Sequence, residues 1–114
     1  MKYLIEATSF AAPFVSDTST RLVEAASPRE ALESFAASYS HPAGLYAANC
    51  YASAESYHEG AKPLARWRSN LEQAREAATK GMSAYSYCNH GNGTIEINGK
   101  GMTVLNPRGG SVVA

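Results

Sequence analysis

The sequence predicts an α+β fold: a mainly antiparallel sheet with two helices on one face, in the order β-β-α-β-α-β-β-β. Three observations carry that prediction. Residues alternate in facing near the start of the chain, and the run after Gly44 divides into two faces at the same two-residue period of a strand. The run from Ser27 has a helix start and an apolar stripe at helical spacing. The last third holds short alternating segments separated by Asn and Gly, the residues that suit hairpin turns.

Lys2–Phe10 reads as the first strand, with Tyr3, Ile5 and Ala7 alternating with Leu4 and Glu6. Residues 11–19 form a loop with Pro13 and a Ser/Asp/Thr cluster, and Thr20–Ala26 pairs back as the second strand. Ser27 caps a helix, Pro28 occupies its first position and Glu30 completes a capping box. Leu32, Phe35, Ala36 and Tyr39 share one stripe of it, and His41-Pro42-Ala43-Gly44 ends it near Tyr39. In Leu45–Ala54, Tyr46, Ala48, Cys50 and Ala52 share one face, and Leu45, Ala47, Asn49 and Tyr51 the other. Ser53–Glu59 fits either a continuing strand or a helical turn. Pro63 opens the second helix, whose stripe is Leu64, Trp67, Leu71, Ala74 and Ala78 and whose stop is Gly81. Ser83–Cys88, Thr94–Ile97 and Met102–Leu105 make a meander through turns at 89–93 and 98–101. Residues 1–106 form a single domain, and 107–114 read as a flexible tail.

At 114 residues the chain forms one domain with a core of its own. Its formal charge is zero but unevenly spread: −4 over residues 1–61, +3 over residues 62–80 and +1 over the rest. That distribution argues against the broad basic face of a duplex-binding protein. No apolar run reaches the ~18 residues of a membrane-spanning helix, and Lys2 followed by Glu6 is not a secretory signal. A cytoplasmic protein without membrane contact is expected. In that setting Cys50 and Cys88, far apart in sequence, are expected as thiols.

Function has to be sought in weaker signals. Tyr57, His58, Lys62, Arg66, Trp67 and Arg68 place aromatic, imidazole and cationic groups around the second helix start. They form the candidate partner-binding set, because Trp and Arg dominate interface hot spots. The competing reading puts Trp67 in the core beside Leu64 and Leu71, with the arginines solvated. If the patch is free, Arg66→Glu with Arg68→Glu weakens binding and leaves the melting temperature nearly unchanged. Cys88 and His90 offer a thiol and a base two residues apart, and His58 a lone imidazole, as the material of a small enzyme. No catalytic motif accompanies them, no metal-ligand spacing is present and no cofactor is implied. Tyr46, Tyr51, Tyr57, Tyr85 and Tyr87 lie on or near strands, where open aromatic faces can stack bases. The Gly91-Asn92-Gly93 and Gly99-Lys100-Gly101 segments open no helix, so they read as turns rather than phosphate loops.

The string Tyr57-His58-Glu59-Gly60-Ala61-Lys62-Pro63-Leu64-Ala65-Arg66-Trp67 resembles a segment of small uncharacterised proteins from actinobacterial phages and mobile elements. The resemblance covers little more than the string itself. It brings no catalytic residues and implies an accessory factor that binds a host protein. The leading expectation is thus a non-enzymatic interaction protein, with a homodimer as a further expectation from its edge strands. The alternatives are a nucleic-acid or nucleotide binding module, and a small enzyme using His58 or Cys88 with His90.

Overall fold

A computed structural model describes residues 1–11 and 18–113 of the chain. Pro13 and most of the loop expected at 11–19 lie outside the described residues. β1 (Lys2–Ser9) and β2 (Thr18–Glu24) are antiparallel, with Leu4 opposite Leu22 and Ile5 opposite Arg21. Helix α1 (Pro28–Ser38) starts as its sequence dictates: the Ser27 hydroxyl accepts the Glu30 N–H at 3.1 Å, with Pro28 in the first turn. β3 (Leu45–Tyr51) pairs with β1. Ser53 then caps a short helix, α2 (Ala54–His58), which settles the two readings of that stretch.

The next segment departs from expectation. Ala65–Ser69 is a strand, β4, and the second long helix, α3 (Asn70–Ala78), begins only after it. The reason is visible in Ala65-Arg66-Trp67-Arg68-Ser69. Trp67 and Ser69 are buried, and the arginines between them are not. That is a two-residue period, and it overrides the three-residue step from Leu64 to Trp67. Ser69 is the true cap, its hydroxyl accepting the Glu72 N–H at 3.2 Å. The meander follows as β5 (Tyr87–Asn89), β6 (Thr94–Ile97) and β7 (Lys100–Thr103). Asn98 and Gly99 join the last two with positive φ angles of 53° and 81°, the tight hairpin geometry that Asn-Gly favours. The segment expected as a tail instead carries β8 (Gly110–Val113), which pairs with β4 from Ser69–Gly110 to Arg66–Val113.

The α+β class, the antiparallel pairing and the expected order of elements all hold, with α2, β4 and β8 added to them. One sheet has the order β2-β1-β3-β4-β8 and the other β5-β6-β7. The two long helices, expected on one face, instead lie on opposite faces of the larger sheet. α1 buries Ala31, Leu32 and Phe35 in the cluster that holds Tyr3, Ile5, Cys50 and Trp67. Arg66 and Arg68 flank Trp67 along β4 and so point to the opposite face, where Glu76 of α3 meets both. A second cluster, Leu71, Ile95 and Ile97, joins α3 to the small sheet. Among the described residues no helix is long and apolar enough to cross a membrane.

Cys50 lies at the centre of the first cluster with no exposed surface. Burial pushes its thiol from the ordinary 9.0 up to about 11. As pH rises, the unfolded chain loses this proton first. The contribution is therefore intact below pH 9 and is lost as pH climbs to about 11. Urea unfolding across that window should show stability falling, with at most about 1.4 kcal/mol per pH unit from this thiol. Cys50→Ala should flatten the decline, and an unchanged slope in that variant would reject the assignment.

Candidate functional site

A bulge in the large sheet begins the site. Thr8 pairs with Ala47, but Ser9 pairs with Leu45, so Tyr46 is the extra residue on β3. A bulge re-aims the side chain it carries. Leu45 consequently joins Ala48 and Cys50 in the α1 cluster, and Tyr46 turns to the second cluster, the reverse of simple alternation. The Phe10 ring meets the Tyr46 ring edge-on at 5.1 Å.

α3 supplies the polar floor. The Ser69 cap fixes its first turn, which sets Glu72 against the sheet with 5% of its surface exposed. Both Glu72 oxygens are engaged by the Arg75 guanidinium, and the Tyr46 hydroxyl donates to the same carboxylate. Arg75 also donates to the Tyr85 hydroxyl. Burial, and after it the Glu72 carboxylate, push the Tyr46 phenol well above its usual range. Burial also raises the Tyr87 phenol. The Glu72 carboxylate in turn holds the Arg75 proton more firmly than usual. Tyr46 remains a neutral hydrogen-bond donor, and the Glu72–Arg75 pair is closed on itself.

Above this floor opens a cleft of about 810 Å³ between the two sheets. Phe10, Tyr46 and Leu71 line one side, and Tyr85, Tyr87 and Asn89 the other. Tyr85 and Tyr87 are 38% and 37% exposed, so their rings are available from solvent. The volume lies within the range of small-molecule and peptide sites, which combine apolar walls with a few fixed polar groups.

The six residues expected to bind a partner are divided by the fold. Trp67, 6% exposed, is in the α1 cluster on one face of the sheet. Arg66 and Arg68 are on the other face, where both reach Glu76, at 3.2 and 3.3 Å. Arg68 also donates to the Ala48 and Trp67 carbonyls and to Asn49 Oδ1. Asn49 donates to Glu6, which accepts the Tyr57 hydroxyl at 2.7 Å through its other oxygen. That bond to Glu6 raises the Tyr57 phenol above its ordinary value. Tyr57, Arg66 and Arg68 are thus parts of one hydrogen-bonded network across the sheet. His58 and Lys62 are exposed, and His58 stacks obliquely on Tyr57 at 5.4 Å. Charge reversal at Arg66 and Arg68 would dismantle this network, so it is not a neutral probe of binding.

Cys88 is exposed, and the His90 imidazole lies 3.5 Å from Glu96. Among the described residues no hydrogen bond joins Cys88 to His90, and no group of three His, Cys, Asp or Glu side chains is placed to hold a metal ion. The tyrosines divide as well: Tyr46, Tyr85 and Tyr87 meet at the cleft, and Tyr51 and Tyr57 pack on each other at 5.1 Å on the sheet face. Sequence reading missed Phe10, Glu72 and Arg75. The Ser69-Asn70-Leu71-Glu72 capping pattern was the signal available for α3 and hence for the last two. The chain matches no protein-family model, no curated protein and no solved structure.

Proposed function

We propose that this chain is a small non-enzymatic interaction protein that binds another protein through the tyrosine-lined cleft. The observation that carries the reading is the exposure of Tyr85 and Tyr87 on the wall of an open cleft whose buried charges are already paired. Tyrosines of this kind give large contact area for little loss of side-chain freedom. The closed Glu72–Arg75 pair leaves neither group free as an acid or base. Arg66, Arg68 and Arg75 all engage carboxylates of their own chain, which weakens the case for a nucleic-acid surface in the basic segment. The resemblance to small phage proteins adds that the partner is a host protein.

The test is capture from host-cell lysate on the tagged chain, with and without nuclease, beside a Tyr85→Ala/Tyr87→Ala variant. Wild type should retain one stoichiometric protein that survives nuclease. The variant should lose it by about tenfold or more, the effect of removing a hot spot, while its unfolding midpoint moves little. Retention that vanishes with nuclease would replace this reading with nucleic-acid binding. Equal retention by the variant would remove the cleft.

A further inference from the structure

One wall of the cleft is built on an edge strand. β5 is the outer strand of its sheet and pairs only with β6. The His90 N–H donates to the Thr94 carbonyl at 3.0 Å, and the Asn98 N–H to the Ser86 carbonyl at 3.1 Å. In an antiparallel ladder, bonded pairs alternate with pairs whose peptide groups point away from the partner strand. The intervening register pairs are Tyr87–Ile97 and Asn89–Ile95. The N–H and C=O groups of Tyr87 and Asn89 therefore face outward. Tyr87 and Asn89, and Tyr85 before them, are exposed and line the cleft, and outside the β5–β6 ladder none of the three makes a backbone hydrogen bond to a described residue.

Charge adds a second, independent constraint. Glu72 is neutralised by Arg75, whereas Arg108, which also lines the cleft, is exposed and has no carboxylate partner among the described residues. The occupant that fits both conditions has an extended backbone and an acidic side chain.

We infer that the cleft takes an extended, acidic segment of another protein, which adds to the free edge of β5 as a fourth strand of the small sheet. This rests on the protein-binding reading above and specifies its mode. At roughly 3.3 Å per residue, the edge from Tyr85 to Asn89 accommodates about four or five residues. Main-chain bonds to Tyr87 and Asn89 supply affinity. Alternate side chains of the segment face Phe10 and Leu71 and supply selectivity. An Asp or Glu of the segment meets Arg108.

The probe is a displayed library of random nonapeptides sorted against the full chain. Selected peptides should alternate apolar residues and carry an acidic one. N-methylation of the peptide amides that face β5 should weaken binding about tenfold per bond, and methylation of the intervening amides should not. Binding should slow amide exchange at Tyr87 and Asn89 about tenfold or more, with that at Cys88 unchanged. Arg108→Glu should weaken binding about fivefold or more, as like charges meet. Tyr87→Pro, which removes an N–H that β6 does not use, should weaken binding more than Tyr87→Thr, which keeps it.

Peptides lost on Tyr85→Ala/Tyr87→Ala but indifferent to N-methylation would overturn strand addition and leave the cleft as a protein-binding site. Failure to select any peptide would overturn strand addition, and lysate capture would then decide the protein-binding reading separately. Slower exchange at Tyr87 with rising concentration of the chain alone would replace the inference with edge-to-edge self-association.

Discussion

Arg75→Ala should lower folding stability by about 3 kcal/mol, because it leaves a buried carboxylate without its cation. Glu72 keeps only 5% of its surface in contact with solvent. The remaining side-chain partner of its carboxylate, the Tyr46 hydroxyl, is neutral and cannot offset a buried negative charge. The same change frees Tyr85, whose hydroxyl is held by Arg75. Urea unfolding would measure the loss. Replacing both partners together, by Glu72→Met with Arg75→Met, should recover stability to within about 1 kcal/mol of wild type, since no charge is then stranded. Equal stability of Arg75→Ala and wild type would show that the pair is effectively solvated. The walls of the cleft would then lack the rigid floor described above.

Gly110→Val should be as damaging, with a loss of about 3 kcal/mol from forced overpacking. A Cβ at this position would stand 2.5 Å from the Trp67 ring and would also overlap the Arg68 carbonyl. One obstruction is backbone and the other is the side of a buried ring, so neither can withdraw as a flexible side-chain end would. β8 would be pushed off β4, and Trp67 would gain solvent. As the only Trp in the chain, it reports this directly through a red shift of its emission. Ser111→Val, one residue along the same strand, is the control. Ser111 is exposed, and its substitution should leave both emission and midpoint close to wild type. Unaltered emission in Gly110→Val would mean that the strand can slide or bend away from the ring.

Gly110 also shows why part of the fold was illegible. Asn106-Pro107-Arg108-Gly109-Gly110 has the composition of a chain end, and four residues are too few for a strand pattern. The requirement that Gly lie under Trp67 exists only once β8 is paired with β4. α1, by contrast, was readable because cap, first-turn Pro and stripe are all local. β4 was misread because Leu64, Trp67 and Leu71 satisfy helical spacing by coincidence, while the alternation inside Ala65–Ser69 spans only five residues. The cleft was less legible still. Tyr46 reaches it through a bulge defined by pairing with β1 and there meets Glu72, 26 residues further along the chain. The tyrosines could be singled out in the sequence, but their division into a cleft group and a sheet-face group could not.

The pairing of Ser69 with Gly110 has a wider consequence. Everything between them, α3 and the whole three-stranded sheet, leaves the large sheet from one strand and returns on its neighbour. Its two ends are held side by side, about 5 Å apart, as in any antiparallel pair. The large sheet is therefore a chassis to which residues 70–109 are joined through the chain at a single gap, with Glu72 and Glu76 of α3 holding the unit to β3 and β4. A different element with closely spaced ends could be exchanged into that gap while α1 and its core stayed as they are. Change in the inserted unit and preservation of the scaffold become separable problems for design.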